Sequence, residues 1–373
     1  MKFAVVEYSS KTGTIWKHTS NRPNYLCDPV REIDPTSFGC YVSALAGEHI
    51  PLTSCIIGKD IAFPTRIYRK IIKRITGNWP SEYSLDYFRQ FDALLVVYQI
   101  SDGHELVRFL KRIKKIHPNC VLLGVPTQPY GILKNYWDKS PDNLQEIKEF
   151  MNQCDVFLTI VKRTLPIWKK MTSTPVLYMP QPYPVDFASL KFFSREKKRN
   201  VIFVAGVTGR DFIAKGQIVA KKLQELFPAY RIHMAQVPGM DIATKNLQGS
   251  QFDIIPFEPW QDHLDTLAKT TLVINTDYTQ TRGRVQVDAA AVGTPSIGAN
   301  SDGQDDLFPS LPGERETTIE ELVAQGKKLL EDRAQYEQVV STAKEKLEQY
   351  TYRLSKARVE ELVSRMQKEK ESR

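Results

Sequence analysis

Residues 201–223 read VIFVAGVTGRDFIAKGQIVAKKL and contain the unit from which the whole chain is built. An apolar run with the length and composition of a buried strand is followed by a turn that carries glycines and cations. The next segment, 216–227, has helical periodicity and predicts a helix. Such a strand–turn–helix unit is typical of parallel α/β sheets. The predicted helix places four apolar residues on one side: Ile218, Val219, Leu223 and Leu226.

Short apolar runs of the same kind alternate with helical segments along the chain, which predicts parallel sheets with helices on both faces. A charged break at 187–199 separates two groups of runs. We therefore predict two α/β domains, each built on a parallel sheet. The further apolar runs are 3–8, 93–100, 120–126, 156–161, 175–180, 231–237, 252–257, 271–276 and 294–299.

The predicted domains are an N-terminal one over 1–187 and a C-terminal one over 198–345. A C-terminal helix is predicted over 346–373. The helix-rich tail opens near TTIEELVAQ (317–325), which offers a threonine N-cap and a capping glutamate.

Composition and charge limit the classes of partner. The 373 residues carry a net charge of +8, which favours anionic partners such as phosphates. No nucleic-acid-binding module or basic–aromatic interleaving is visible, so we predict no nucleic-acid partner. The 5 cysteines form no C-x-x-C, and no histidine lies at metal-ligand spacing from them, which predicts reduced thiols, a cytoplasmic location and no metal site. No apolar run is long enough to predict a membrane-spanning helix.

The turn after the 201–207 strand run is the first candidate ligand site. Gly206 and Gly209 would let the backbone approach a ligand closely. Arg210, Lys215 and the helix start favour an anion, most simply a phosphate or diphosphate. The alternative is a tight turn with two solvated cations, since the loop is neither a G-x-G-x-x-G nor a Walker loop.

The second candidate site lies in TRGRVQVDAAAVGTPSIG, residues 281–298. Asp288 is predicted to open a helix of small residues that stops at 293–295. Gly283 and the neighbouring amides could face a phosphate, and the Asp288 carboxylate could accept both hydroxyls of a ribose. The alternative role for Asp288 is a helix cap.

In order and spacing, these two stretches resemble the second domain of the GT-B glycosyltransferases, in particular the retaining class with a Glu-x7-Glu motif. The matching pieces are Gly206, Arg210, Lys215–Gly216 and DAAAVGTPSIG (288–298). The resemblance covers roughly residues 90–350 and is strongest over 200–300.

The resemblance implies the GT-B architecture, in which two Rossmann-like domains face each other across a cleft, with 1–187 on the acceptor side and 198–345 on the donor side. It also implies a role for each matching residue. Arg210 and Lys215 would bind the donor diphosphate and stabilise it as it leaves. Asp288 would bind the ribose, and the loop glycines would approach the phosphates. The substrate implied is a nucleotide-diphosphate sugar, with no cofactor and no metal.

Two departures from the family pattern stand out: the second glutamate is Asp288, shorter by one methylene, and Gln280 stands where the first glutamate, which contacts the donor sugar, is expected. The loop beside the sugar offers Arg282, Arg284 and Asp277 instead.

On the acceptor side, the candidates are Gly13, in YSSKTGTIW (8–16), and His104, in SDGHEL (101–106). A plain turn and an ordinary surface histidine are the alternatives. Segment 64–80 predicts a basic amphipathic helix, which either contacts the inner face of a membrane peripherally or is a domain helix with a solvated basic face.

These features predict a glycosyltransferase of the hexosyltransferase type that moves a sugar to a glycan or a lipid-linked acceptor with retention of configuration. One alternative is a catalytically inactive GT-B-like binding or scaffold protein, which the uncharged Gln280 favours. The other is a sugar-nucleotide epimerase, because that class shares the two-domain architecture.

Overall fold

A computed structural model describes residues 1–7, 39–51, 71, 85–99, 103–126, 130–194, 199–205, 210–235, 244–256 and 258–372. The chain divides into two compact units. Unit 1 comprises Met1–Gln128, Ile132–Tyr183 and Tyr352–Arg373, and unit 2 comprises Pro129–Gly131 and Pro184–Thr351. The chain thus passes from unit 1 to unit 2 at Tyr183–Pro184 and returns at Thr351–Tyr352, whereas the boundaries expected from the sequence fall at 187–198 and 345–346.

The strands are short and parallel, and those in the middle of the sheets are buried on both faces. In chain order they are β1 Phe3–Glu7, β2 Glu48–Pro51, β3 Ala93–Tyr98, β4 Val121–Pro126, β5 Val156–Thr159, β6 Val176–Tyr178, β7 Val201–Val204, β8 Arg231–Ala235, β9 Phe252–Ile255, β10 Leu272–Ile274 and β11 Ser296–Ile297.

The α-helices connect these strands and extend to the C-terminus. They are α1 Gly39–Leu45, α2 Gly103–Ile116, α3 Tyr130–Lys139, α4 Pro141–Gln153, α5 Leu165–Met171, α6 Val185–Phe192, α7 Arg210–Leu226, α8 Trp260–Lys269, α9 Arg284–Val292, α10 Asp302–Leu307, α11 Ile319–Glu331, α12 Arg333–Lys346 and α13 Tyr352–Glu371. Short 3-10 helices cover Leu85–Gln90, Lys162–Thr164, Lys245–Leu247 and Leu347–Tyr350. Within the described ranges, none of the helices combines the length and the apolar character needed to span a bilayer.

The sheet of unit 1 has the strand order β2-β1-β3-β4-β5-β6, and all its pairings are parallel. The order changes direction between β1 and β3, which lie side by side in the sheet. Helix α13 contributes Val359, Leu362, Val363 and Met366 to the core of this unit. The Nζ of Lys370, near the end of α13, lies 2.7 Å from Asp155 Oδ2 and donates to the carbonyl of Cys120.

The sheet of unit 2 has the order β11-β10-β7-β8-β9, again with parallel pairings. Renumbered from its first strand, this is the 3-2-1-4-5 order of a doubly wound sheet. The order therefore changes direction between β7 and β10, which pair from Leu272↔Ile202 to Ile274↔Val204. Each unit is thus a parallel α/β sheet, and the predicted α/β class with a helical C-terminal tail is confirmed.

Each of the ten apolar runs predicted as strands contains a strand in the described part of the chain. The strand β2 was not predicted, because EHIP is short and mostly polar. Segment 64–80 lies outside the described residues apart from Ile71, so its proposed membrane contact stays a prediction. The predicted capping box is confirmed: the Thr318 hydroxyl accepts from the Glu321 amide, and the Glu321 side chain accepts from the Thr318 amide.

Two predicted helix starts are wrong. Helix α7 begins at Arg210, so Lys215 and Gly216 lie inside it. Gly216 marks close packing of the helix on the sheet: an added Cβ would lie 3.0 Å from Thr276 Oγ1 and 3.2 Å from Val204 Cγ1. The other error concerns α9, which begins at Arg284 and places Asp288 in its second turn.

The predicted apolar side of α7 is correct for Val219 and Leu223, which are fully buried. Leu226 is exposed instead, because it is the last residue of the helix, beyond the cover of the sheet.

Candidate functional site

The carboxyl ends of β7 and β10 lie next to each other in the middle of the unit 2 sheet. The Ala205 amide, just after β7, still donates to the Ile274 carbonyl at 2.9 Å. The chain then leaves β7 toward α7 and leaves β10 toward the loop 275–283. In open α/β sheets, ligands bind outside the carboxyl ends of the strands at the point where the strand order reverses. This edge is therefore the candidate site.

Lys215 is the cation of α7 whose contacts reach this edge. Its Nζ donates to the carbonyl of Arg315 at 3.1 Å and also to the carbonyl of Thr317. The same Nζ lies 4.8 Å from the centre of the Tyr278 ring, in the loop after β10. Lys215 therefore joins three segments at the carboxyl edge of the sheet: α7, the loop after β10 and the chain before α11.

Burial changes the ionisation of this cluster. Desolvation lowers the pKa of Lys215, although the carboxylates of Glu316 and Glu321 act in the opposite direction. Burial is also the main cause that raises the pKa of Tyr278, and Glu314 and Glu316 raise it further. The Lys215 ammonium is thus a cation that has lost part of its hydration, and such a cation attracts an anion more strongly than a fully solvated one.

The loop 275–283 after β10 is held by its own short side chains. The Asp277 amide donates to Asn275 Oδ1 at 3.0 Å, and the Thr279 amide and hydroxyl both donate to Asp277 Oδ1. These Asx-type bonds fix the loop locally. Gln280 follows with a positive φ of 55°, and its buried Oε1 accepts no hydrogen bond from the described part of the chain.

Gly283 caps α9 in the left-handed conformation, with φ 79°. A side chain there would overlap the Ser301 hydroxyl and lie 2.8 Å from the Gly303 backbone. The Gly283 N–H already donates to Thr281 Oγ1 at 3.0 Å, so in this arrangement it does not point at a phosphate. The Gly303 amide donates to the carbonyl of Arg282 at 3.1 Å, so the loop and the start of α10 pack backbone to backbone.

Asp288 is buried, with its side chain only 4% exposed. Its Oδ1 accepts from Trp260 Nε1 at 3.0 Å, and its Oδ2 accepts from Arg284 Nε at 2.9 Å. The charge of Asp288 also acts on His263. Burial lowers the pKa of His263, and the negative charge of Asp288 opposes this shift. Each carboxylate oxygen of Asp288 therefore already has a protein donor.

On unit 1, His104 is the second residue of α2, which follows β3. Its Nε2 lies 3.7 Å from Glu146 Oε2, and its side chain is 74% exposed. Glu146 Oε1 accepts from the Tyr98 hydroxyl at 3.1 Å and from the Gly103 amide at 3.0 Å. This pair lies at the carboxyl end of β3, next to the point where the strand order of unit 1 reverses.

The structure describes only some of the residues predicted for the donor site. Lys215 contacts the loop that carries Gln280, Arg282 and Gly283, and Asp288 lies on the helix that follows. For Arg210 only the backbone position at the start of α7 is described. Three predicted residues lie outside the described residues: Gly13, Gly206 and Gly209.

Two contributors to the site were not assigned a role from the sequence: Tyr278 and Trp260. The contact of Arg284 with Asp288 has a sequence signal, because residues four apart on a helix face each other. Trp260 lies 28 residues from Asp288, and no local pattern indicates that contact. Within the described ranges, no group of three or more His, Cys, Asp or Glu side chains could hold a metal ion.

Comparisons with known proteins agree on the fold. No family model matches the chain, and no curated protein sequence is significantly similar to it. Sucrose-phosphate synthase from Thermosynechococcus elongatus superposes with a TM-score of 0.60 at 12% identity, covering 98% of this chain and 99% of that one. The N-terminal domain of Candida albicans trehalose-6-phosphate phosphatase superposes with a TM-score of 0.61 at 9% identity, covering 98% of this chain and 97% of that one.

A third solved structure is the pneumococcal O-GlcNAc transferase GtfA in complex with UDP and GlcNAc. It gives a TM-score of 0.53 at 12% identity, covering 76% of this chain and 58% of that one. At these identities the likeness shows the fold alone, and that fold is GT-B-like.

Proposed function

We propose that this protein is a glycosyltransferase that moves a sugar from a nucleotide-diphosphate sugar to an acceptor. The observation that carries the proposal is the placement of the partly desolvated Lys215 ammonium at the β7–β10 edge of a doubly wound sheet. This edge is where such sheets bind nucleotides. The GT-B-like fold supports the same activity, because solved proteins of similar fold include a transferase bound to UDP.

The chemistry of the leaving group explains why a cation is needed there. The sugar–phosphate bond breaks with oxocarbenium character, and the bonding electron pair leaves with the diphosphate. A fixed cation in a partly dry site stabilises the developing charge. Described residues engage two of the three Lys215 N–H groups, both through backbone carbonyls, which orients the ammonium. Arg210, at the first position of α7, is proposed as the second cation.

Asp288 is proposed to bind the ribose. A carboxylate offers about four lone-pair sites, and Trp260 and Arg284 use one on each oxygen, so further hydroxyl donors are chemically compatible. Gln280 is proposed to contact the donor sugar through its buried, unpaired Oε1 together with Arg282. Gln280 can hydrogen-bond a sugar, but it cannot supply the charge of the glutamate expected at that position.

The finer parts of the proposal rest on the resemblance to the retaining GT-B enzymes. They are transfer of a hexose-type sugar, retention of the anomeric configuration, a glycan or lipid-linked acceptor and independence of metal. Product NMR of the new anomeric centre would decide between retention and inversion. Turnover in the presence of a chelator would test the independence of metal.

A binding protein without transferase activity is the second candidate. The observation that favours it is the state of Asp288, whose two oxygens already have donors from Trp260 and Arg284 in a site that is almost closed to solvent. Such a protein would bind a nucleotide or nucleotide sugar and would not turn it over.

The test is calorimetric titration of UDP, GDP, ADP and their sugar conjugates into wild type, Lys215→Ala and Lys222→Ala. Lys222 is the matched control, because it is an exposed lysine of α7 whose Nζ lies 3.5 Å from Glu320. We expect one nucleotide to bind selectively, with affinity reduced at least about tenfold by Lys215→Ala and unchanged by Lys222→Ala.

The outcome that contradicts the donor site is equal binding by wild type and Lys215→Ala, or no binding of any nucleotide by wild type. Thermal unfolding of each variant shows whether loss of binding reflects loss of the fold. Selective nucleotide binding without sugar transfer to any of a panel of saccharides and lipid-linked sugars would favour the binding protein.

A further inference from the structure

One face of the unit 2 sheet is covered only in part by helices. In β8, Ile232 and Met234 are buried on the face that α7 covers, where the Gln217 side-chain amide donates to Met234 Sδ at 3.5 Å. On the opposite face α8 packs on β7, because the rings of His263 and Phe203 lie 5.6 Å apart. The side chains of β8 and β9 on that face remain partly exposed to solvent.

A cavity of about 690 Å³ lies on this open part of the face, and we call it the β8–β9 pocket. Cavities of this volume hold small-molecule ligands in many proteins. The pocket begins at the amino ends of β7 and β8, whereas the donor site proposed above lies at the carboxyl ends of β7 and β10. The charged and hydrogen-bonding side chains that line it include Arg199, Arg231, His233, Asp253, Glu258 and Thr266.

Positive charge gathers at the amino end of the pocket. Arg231, the first residue of β8, donates from Nε and Nη2 to the two oxygens of Asp253, at 3.0 and 2.9 Å. Arg231 therefore balances the charge of Asp253. The guanidinium of Arg199, just before β7, is exposed and makes no ion pair with any residue that the structure describes. A guanidinium of this kind binds phosphate and carboxylate groups well, because its N–H groups form a planar fork.

His233 lies between these charges, with its side chain 13% exposed and its Nε2 3.4 Å from Asp253 Oδ2. Burial lowers the pKa of His233, the charge of Asp253 opposes this shift, and the charges of Arg199 and Arg231 add to it. An anion next to the imidazole would favour its charged form and raise this pKa. A bound anion would therefore turn His233 into a second cation beside Arg199.

The other end of the pocket offers a hydrogen-bond acceptor. Glu258 follows β9, and its Oε1 accepts from the Thr266 hydroxyl on α8 at 3.0 Å. Burial raises the pKa of Glu258, and the charges of Asp262 and Asp265 raise it further. A ligand hydroxyl that donates to this carboxylate would stabilise its charged form, whereas a second anionic group there would be repelled. The pocket therefore suits a ligand with one anionic end and a hydroxylated body.

We propose that the β8–β9 pocket binds a phosphate monoester of a polyol, with the phosphate between Arg199 and His233 and the hydroxyl groups toward Glu258. A dianionic phosphate matches two cationic groups, whereas a carboxylate carries a single charge. This binding site goes beyond the proposed glycosyl transfer and does not depend on it, because no residue of the proposed donor site takes part.

The test follows the imidazole of His233 by NMR, with its signal assigned by its loss in His233→Gln. The probes are inorganic phosphate, glycerol 1-phosphate and propyl phosphate, each added to the full chain at an ionic strength held constant with sodium chloride. Propyl phosphate has the carbon chain of glycerol 1-phosphate without its hydroxyl groups. The main variant is Arg199→Gln, and its control is Arg333→Gln, the same change at an exposed arginine of α12.

We expect inorganic phosphate and glycerol 1-phosphate to shift the His233 signal saturably in wild type and in Arg333→Gln. The affinity for glycerol 1-phosphate should fall at least about tenfold in Arg199→Gln, through loss of a charge-assisted hydrogen bond. The proposal is overturned if no phosphate moves the signal, or if Arg199→Gln binds like wild type.

The hydroxyl groups are tested by the preference of wild type for glycerol 1-phosphate over propyl phosphate. We expect a preference of about tenfold, which Glu258→Ala should remove while the affinity for propyl phosphate does not fall. Equal affinities in wild type would overturn the assignment to a polyol ester. The location is tested with Lys215→Ala, which should bind glycerol 1-phosphate like wild type. Loss of binding in that variant would assign the anion to the donor site and overturn the proposal for this pocket.

The role of His233 is tested by calorimetry of sulfate, which stays dianionic near neutral pH, where phosphate titrates. His233 takes up a proton when the anion binds. The affinity for sulfate should therefore fall as pH rises from the pKa of His233 in the free protein to its higher pKa in the complex. His233→Gln should lack this dependence, and identical profiles for the two proteins would overturn the contact between His233 and the anion.

Discussion

The two units place a buried carboxylate near the carboxyl edge of their sheets in different ways. In unit 2, Asp288 divides its oxygens between the donors of Trp260 and Arg284 and is shielded from solvent. In unit 1, Glu146 satisfies both protein hydrogen-bond donors with one oxygen and turns the other toward an exposed imidazole. Asp288 therefore resembles a structural group that could also bind a ligand, whereas in Glu146 a single oxygen accepts both hydrogen bonds seen within the described residues.

The comparison shows that burial alone does not tell how strongly the fold depends on a carboxylate. What matters is how many of its oxygens accept hydrogen bonds from the protein. The comparison predicts that Asp288→Ala lowers the free energy of unfolding more than Glu146→Gln does, because a glutamine Oε1 can keep both hydrogen bonds of Glu146.

The largest effect is expected for Asp288→Ala. The substitution leaves the Arg284 guanidinium, which is mostly buried, without its carboxylate, and it deprives the Trp260 N–H of its acceptor. Breaking such a pair from one side should lower the free energy of unfolding by about 3 kcal/mol. Urea denaturation of wild type and variant measures this difference in the free energy of unfolding. Asp253→Ala is the control, because its pair with Arg231 is half exposed and should change stability much less.

If Asp288→Ala unfolds at the same urea concentration as wild type, Asp288 is not a structural group and the contrast with Glu146 disappears. For variants that remain folded, we expect nucleotide binding to weaken more than pyrophosphate binding, because the ribose contact is lost. Equal losses for both ligands would indicate damage to the helix instead.

A smaller loss of stability is expected for Gly283→Ala. The backbone is left-handed there, and the added methyl group would collide with Ser301 and Gly303, so the free energy of unfolding should fall by about 2 kcal/mol. Gly249→Ala is the matched control: its φ is 81°, but no atom lies within 4 Å of an added Cβ. Equal losses in the two variants would mean that backbone conformation, and not packing of the loop on α10, fixes this part of the unit 2 edge.

The smallest effect concerns the pH dependence of nucleotide binding. Burial lowers the pKa of Lys215 in the free protein, and a bound diphosphate would favour the charged ammonium and raise it again. The affinity should therefore fall as pH rises through the lowered pKa, by at most about tenfold per pH unit, because the lysine must then take up a proton on binding.

Calorimetry of the selected nucleotide from neutral to alkaline pH measures this slope. Lys215→Arg is the control, since a guanidinium stays protonated throughout this range and should remove the lysine contribution. Identical slopes in the two proteins would show that the Lys215 ammonium does not contact the phosphates.

The fold could be predicted largely from the sequence because buried parallel strands are read directly as apolar runs. The strand β2 was missed because EHIP has no such run. The predicted helix starts were wrong because the same residue type occurs in two structural contexts. Gly216 is needed for close packing of α7 on the sheet and does not mark a helix end. Asp288 pairs with Arg284 inside α9 and does not cap it.

The candidate site was less predictable, because its contacts are distant in sequence. The hydrogen bonds from Lys215 to the carbonyls of Arg315 and Thr317 join residues about a hundred positions apart in the sequence. No local sequence pattern in either segment predicts these contacts. The pair of His104 with Glu146 likewise joins two helices, α2 and α4, that β4 and α3 separate in the sequence. The chemical type of the residues could be read from the sequence, whereas their partners required the structure.

The return of the chain to unit 1 at Tyr352 has a consequence for biosynthesis. Val359, Leu362 and Val363 belong to the core of unit 1, yet they are translated after every residue of unit 2. On the ribosome, unit 2 can complete its core from one nearly continuous stretch, whereas unit 1 has to wait for its last helix. A nascent chain stopped before α13 therefore exposes an unfinished apolar surface on unit 1, and in that interval we expect it to depend on chaperones.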